Sequence, residues 1–316
     1  MAALAPLPLC FVLGLAWGPW LIRRLQELNF GKQIRLEGQE HHLAKAGTPV
    51  MGGWIFVVTG LAAIAALVRD PRVVVPMATA LLLYALFGAL DDYANIRNRQ
   101  GLGFEVKAQL LWQLVIAFAT AAALYWVAGV QSLRVPALGT VTLGLWMVPF
   151  AVLVLLATTS GANVIDGLDG LAGGTIALMF AAYLAIALRR GDLALASACA
   201  AMVGAILAFL WFNVNPAQVF MGGVGSLALG AGLATVALLS GEALLLPVIG
   251  LPLVIVLLSV ILQVGYFKLT GGKRIFRRAP IHHHWELAGV PEVTIVFRFW
   301  LLAAVCAAVG LLLAEL

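Results

Sequence analysis

Charge is what this 316-residue sequence has least of: Asp, Glu, Lys and Arg together make up 10% of it, while 63% is hydrophobic and the mean hydropathy is +1.04. Water-soluble globular chains carry about a quarter of their residues charged, so that class is excluded and an all-α polytopic membrane protein is expected. Polar stretches long enough to build a separate soluble core are missing, which leaves one integral membrane domain over residues 1–316. Cysteine is scarce as well. Cys10, Cys199 and Cys306 each stand inside an apolar run without CxxC spacing, so they read as buried small hydrophobes and not as disulfides or metal ligands. No positive residue precedes the first apolar run, and Arg23 and Arg24 follow it, the reverse of a cleaved signal peptide. Aromatic and basic residues are not interleaved, so no nucleic acid partner is expected, and the formal charge of +5 suits lipid headgroups or phosphates instead.

What is present is a series of apolar runs. Taking about 17 to 25 residues as a span, the pattern predicts ten helices, near 2–21, 50–68, 73–90, 106–127, 138–158, 171–188, 193–212, 224–239, 244–266 and 294–313. Pro247 and Pro252 predict a kink in the ninth span that opens a groove to lipid. The segment 130–143, alternating through Leu133, Val135 and Leu138 around Pro136, predicts a small β-hairpin. The loops after the first, third and ninth spans hold thirteen basic residues: Arg23, Arg24, Lys32, Arg35, Lys45, Arg97, Arg99, Lys107, Lys268, Lys273, Arg274, Arg277 and Arg278. The opposite side holds five, Arg69, Arg72, Arg134, Arg189 and Arg190. Cytoplasmic loops carry the excess, so both termini are expected on the periplasmic side. The polar motifs then share the cytoplasmic face.

Those motifs interrupt a chain that otherwise avoids polarity. The stretch TTSGANVIDGLDGLAGG at 158–174 sets Asn163, Asp166 and Asp169 among glycines at the edge of a span, where acids usually line a site or a wet cavity. If a helix resumes at about Asp166, that residue and Asp169 share a face; the alternative is that Asp166 only caps the following helix. The third span ends in Asp91-Asp92-Tyr93, and paired acids at a helix C-terminus need an offsetting charge. Either Mg²⁺, which is bound through one or two carboxylates plus phosphates, or a cationic side chain meets that need; solvated acids are the plainer reading. Near the second span, HHLAKAGTPVMGG places His41, His42 and Lys45 beside Gly52–Gly53, with Lys45 either a snorkelling anchor or a phosphate or base contact. FNVNPAQVFMGGVGS contributes Asn213, Asn215, Ser226 and Phe220, the last either a base-stacking ring or ordinary packing. KLTGGKRIFRRAPIHHHWELAG adds His282, His283 and His284, whose rings diverge on any regular backbone and so make a poor zinc cage.

In this combination the chain resembles the phospho-N-acetylmuramoyl-pentapeptide transferases, within the wider polyprenyl-phosphate sugar-phosphate transferases. KAGTPVMGG, GALDDY, NVIDGLDGLAGG, FNVNPAQVFMGGVGS and APIHHHWE occur in order along nearly the whole length. The resemblance implies transfer of phospho-MurNAc-pentapeptide from UDP-MurNAc-pentapeptide to undecaprenyl phosphate, with release of UMP and a need for Mg²⁺, by a homodimer in the bacterial inner membrane. It further implies Asp91, Asp92, Asp166 and His282 as catalytic, Asp166 and Asp92 at the metal, and Lys45, Asn163, Gly167, Leu168, Asp169, Asn213, Phe220, His283 and His284 at the substrate. Two positions depart from the family pattern. Gly223 stands where the family has a metal-binding aspartate, and Ser160 where asparagine is usual. Impaired activity is therefore expected. A related transferase for UDP-GlcNAc, a secondary transporter and a catalytically silent relative are the rival readings.

Overall fold

A computed structural model of the protein describes residues 2–28, 30, 47–97 and 104–316. The helices are α1 (Pro6–Glu27), α2 (Trp54–Leu67), α3 (Pro71–Arg97), α4 (Val106–Ala122, extended by a π turn, Ala123–Val127), α5 (Met147–Ile165), α6 (Leu171–Arg189) and α7 (Leu193–Asn213). After these come α8 (Gly222–Leu239), the single turn α9 (Leu246–Ile249), α10 (Leu251–Leu269), α11 (Ile281–Leu287) and α12 (Glu292–Leu313). Among the described residues, 9 helices are long and apolar enough to cross a membrane. The tenth expected span is α2, and its 14 residues reach only about 21 Å at ~1.5 Å per residue, short of a ~30 Å hydrocarbon core. Its first residues leave the helix because Gly52 and Gly53 donate instead to the carbonyls of Phe220 and Met221, at 2.8 and 3.0 Å.

The predicted hairpin forms. β1 (Ser132–Val135) pairs antiparallel with β2 (Gly139–Thr142), with Ser132 opposite Thr142 and Val135 opposite Gly139. Its three-residue loop turns through Ala137 at φ 63°, and buried Leu133 anchors it. The predicted kink is instead a break at Gly250 between α9 and α10. Pro247 and Pro252 each sit in the first turn of their own helix, where a missing N–H costs nothing. Between α5 and this break lies an apolar cavity of about 340 Å³, lined by Leu153, Val154, Pro247, Leu253 and Leu257 among others.

α8 is the centre of the bundle: 83% of its span is buried, against 28% for α1 and α10. Lipid tails are as apolar as leucine, so helices associate in a membrane by close packing of small residues. The sequence GGVGSLALGAGLATVALL supplies them. At the tightest crossing, a Cβ added to Gly88 on α3 would stand 2.2 Å from the Gly223 carbonyl oxygen. That approach fixes how deeply the acidic end of α3 meets α8.

Candidate active site

The ends of α3, α5, α7 and α10 and the starts of α2, α6, α8 and α12 gather at one end of the bundle, carrying the polar motifs with them. Asp91 and Asp92 do not end their helix, since α3 continues to Arg97. Backbone N–H groups reach both carboxylates. Asp92 is 8% exposed, and its Oδ1 and Oδ2 accept the N–H groups of Gly223 and Val224 at 2.9 and 3.2 Å. These are orphan donors in the first turn of α8, where the helix dipole also favours an anion. Asp91 accepts from Phe104 N–H at 2.8 Å and from Gln109 Nε2 at 3.0 Å, which ties the end of α3 to the start of α4.

Position 223 faces this carboxylate. A Cβ there would stand 3.3 Å from Asp92 Oδ1, so a side chain at 223 would converge on Asp92, and with glycine there that approach is made by the backbone N–H. Ser226, one turn on, donates to Asn163 Oδ1 at 3.0 Å. This bond pins the last turn of α5 to the second turn of α8, three residues before Asp166 and three after Gly223.

The helix α6 starts where the apolar run predicts, and Asp166 neither begins nor caps it. Asp166 follows α5, and α6 starts at Leu171, after Gly170 at φ 77°. Asp166 and Asp169 therefore lie in a connection and share no helical face. Asp169 is 4% exposed and faces protein: Oδ2 accepts from Asn215 Nδ2 at 3.2 Å and Ala217 N–H at 3.1 Å, while its own N–H donates to Glu292 at 2.8 Å. Asn213 accepts from Gly170 N–H at 3.1 Å and donates to the Val219 carbonyl at 2.9 Å. Leu168 is buried in the core. These three clamp the connection, leaving Asp166 and Gly167, half-buried, as its accessible members, with Asn163 exposed on the last turn of α5. Phe220 is half-buried, and its N–H donates to the Pro49 carbonyl at 2.8 Å, so the loop before α8 and the start of α2 zip together. Lys45, His41 and His42 lie outside the described residues.

The three histidine rings do not all diverge as the sequence predicts: His282 and His283 meet edge to face with centroids 4.5 Å apart and both reach Gly167, while His284 turns away to Phe276. His282 is fully buried beneath Gly167, where an added Cβ would meet its Nε2 at 2.4 Å, and neither of its ring nitrogens has a hydrogen-bond partner among the described residues. Burial, and secondly the neighbouring His283, push its pKa down from 6.5 to about 3, so it is neutral at physiological pH. His283 Nδ1 meets Glu286 at 2.9 Å, and His284 Nδ1 accepts from Arg277 N–H at 3.1 Å. The basic loop is held to α10 by Gln263, whose Oε1 accepts from Ile275 and Phe276 N–H, and by Ser259, which accepts from Ile281 N–H. Sequence reasoning missed Gln109, Glu292, Gln263 and Ser259. The available signal was a polar residue at the edge or inside of an apolar run, which in a membrane helix asks for a partner.

The helical bundle and its acidic rim define an integral membrane transferase of the class described as glycosyl transferase family 4, whose family model matches residues 74–241. Proteins named phospho-N-acetylmuramoyl-pentapeptide-transferase resemble the chain along almost its whole length. The one from Desulforapulum autotrophicum is 39% identical, covering 96% of this chain and 89% of the relative. The one from Heliobacterium modesticaldum is 42% identical over 95% and 94%, and that from Solidesulfovibrio magneticus 42% over 98% and 91%. The chain belongs to the phospho-N-acetylmuramoyl-pentapeptide-transferase family.

Proposed function

We propose that the protein transfers phospho-MurNAc-pentapeptide from UDP-MurNAc-pentapeptide to undecaprenyl phosphate in the bacterial inner membrane, giving the first lipid-linked peptidoglycan precursor and UMP. The likeness to named transferases, 39% to 42% over 95% or more of the chain, carries this reading. The excess of basic residues in the loops at the acidic end supports a cytoplasmic site and periplasmic termini, and family membership supports a homodimer. The apolar groove beside the α9–α10 break suits an isoprenoid chain.

The chemistry asks little of a base. A phosphate monoester has a second pKa near 6, so about nine-tenths of the lipid phosphate is already dianionic at pH 7. Asp91 then positions the nucleophile, its own carboxylate steadied by Gln109. The larger demand is charge on the diphosphate. Exposed Lys273, Arg274, Arg277 and Arg278 beside α11 supply positive charge, and neutral His282 supports the 166–170 connection from below as a positioning residue.

The donor set fits Mg²⁺ held jointly with substrate, and not a closed protein cage. Asp92 has given two of about four lone-pair sites to backbone, and Gly223 offers no ligand. Asp92 and Asp166 would hold the ion with the diphosphate completing its shell. It would supply charge neutralisation at the leaving group, and its affinity should be low. The test is UMP release by purified protein given both substrates across a Mg²⁺ titration, beside Gly223→Asp. Turnover by either supports the transferase; turnover by neither, with intact folding, refutes it.

A further inference from the structure

At the end of the bundle remote from the acidic loops, Arg134, Arg189, Arg190 and Glu315 wall a polar cavity of about 260 Å³ floored by Ile186 and Ala314. The guanidiniums come from two parts of the chain, Arg134 from the hairpin and Arg189 and Arg190 from the end of α6, and the latter two are held by partners. Arg134 lies on β1, whose N–H at that residue donates to the Gly241 carbonyl at 2.9 Å, fixing the hairpin over the end of α8. Arg190 donates to the Ser240 carbonyl at 3.0 Å and pairs with Glu242, which is 1% exposed. Arg189 pairs with Glu315. Arg134 makes no ion pair among the described residues. With Arg189 set against Glu315 and Arg190 against Glu242, the three guanidiniums face two carboxylates and leave one net positive charge at the cavity.

Single arginines at span ends snorkel outward to water, but these converge on one concavity. It lies where α6 and α12 end, at headgroup depth for helices of 19 and 22 residues. Its volume is below the ~300 Å³ lower bound of drug-sized pockets, so it suits a headgroup and not a whole ligand. Guanidinium forks bind phosphate oxygens in pairs.

We infer that this cavity binds a phosphate monoanion, that of a phospholipid headgroup in the leaflet opposite the acidic site, with Arg134 and Arg189 as the principal donors. The test is thermal unfolding of the purified full-length protein in detergent with phosphatidylglycerol, with diacylglycerol of the same acyl chains, or with inorganic phosphate. Phosphatidylglycerol should raise the midpoint and diacylglycerol should not. Arg134→Gln should weaken the phosphatidylglycerol response about tenfold, the loss of one charge-assisted contact. Should an Arg134-dependent shift appear with inorganic phosphate and not with the lipid, the phosphate site stands and its occupant is soluble. Equal responses of parent and Arg134→Gln to both overturn the assignment. If Arg134→Gln does not fold, Glu315→Gln carries the test: removing the wall's carboxylate should strengthen phosphatidylglycerol binding several-fold, and unchanged or weaker binding overturns it.

Discussion

Placing a carboxylate at position 223 sets two opposing effects against each other, and their balance is calculable. In Gly223→Asp the new Cβ would stand 3.3 Å from Asp92 Oδ1 and from the Gly88 carbonyl oxygen, close enough that Asp92 must shift by a few tenths of an ångström. Two carboxylates about 4 Å apart at an effective dielectric near 20 repel by roughly 4 kcal/mol. The first turn of α8 returns only about 0.5 to 1 kcal/mol for a negative charge there. After side-chain relaxation, a net loss of about 1 to 3 kcal/mol is expected without divalent cation. Mg²⁺ bridging the pair should reverse it. The assay is the unfolding midpoint of parent and variant in EDTA and across a Mg²⁺ titration, with UMP release followed in parallel. The variant should be the less stable in EDTA, recover with Mg²⁺, and turn over at least about tenfold faster than the parent, the value of one added ligand at ~1.4 kcal/mol. If it matches the parent in EDTA, ignores Mg²⁺ and gains no turnover, Asp92 does not face a metal site.

Gly88→Ala should destabilise by more than about 2 kcal/mol and abolish turnover, because its Cβ would meet the backbone carbonyl of Gly223 at 2.2 Å and neither helix can yield cheaply; thermal unfolding and UMP release check both. Asn213→Ala strips partners from Gly170 N–H and the Val219 carbonyl, a loss of about 2 kcal/mol, and should raise hydrogen exchange at 166–170. Protonation of His282 is disfavoured in the folded state, so its contribution is full above pH 6.5 and is lost as pH falls towards about 3, on the order of 5 kcal/mol at most. Stability measured from pH 7 to 4 should therefore fall less steeply for His282→Gln than for the parent. Gln109→Ala, which frees one oxygen of Asp91, should lower kcat about tenfold with little change in KM; a pure KM effect would remove Asp91 from the chemistry.

Most of the architecture was legible in the chain because a bilayer imposes a one-dimensional rule, that spans must be apolar and long. Nine of the ten expected spans formed, as did the hairpin around Pro136. The second run fell short because its first residues bond to Phe220 and Met221, a pairing with a segment more than 160 residues away that no local pattern carries. The motif residues were legible as misplaced polarity, but their division of labour was not. Whether an acid faces a ligand or clamps a loop depends on which distant backbone donors reach it: Asp169 goes to Asn215, Ala217 and Glu292, and Asp92 to the first turn of α8. The sequence by itself determined a membrane bundle with the motifs of Asp91-Asp92, Asp166, Asp169 and the triple histidine on one side, and the resemblance marked Gly223 as standing where the family has an aspartate. Only the tertiary structure decided that the vacated approach is taken by backbone N–H groups, that His282 is buried and neutral, and that Arg134 joins Arg189 and Arg190 at the far end. Those outcomes depend on helix crossings set by glycine contacts between segments remote in sequence, and burial and charge follow from the crossings.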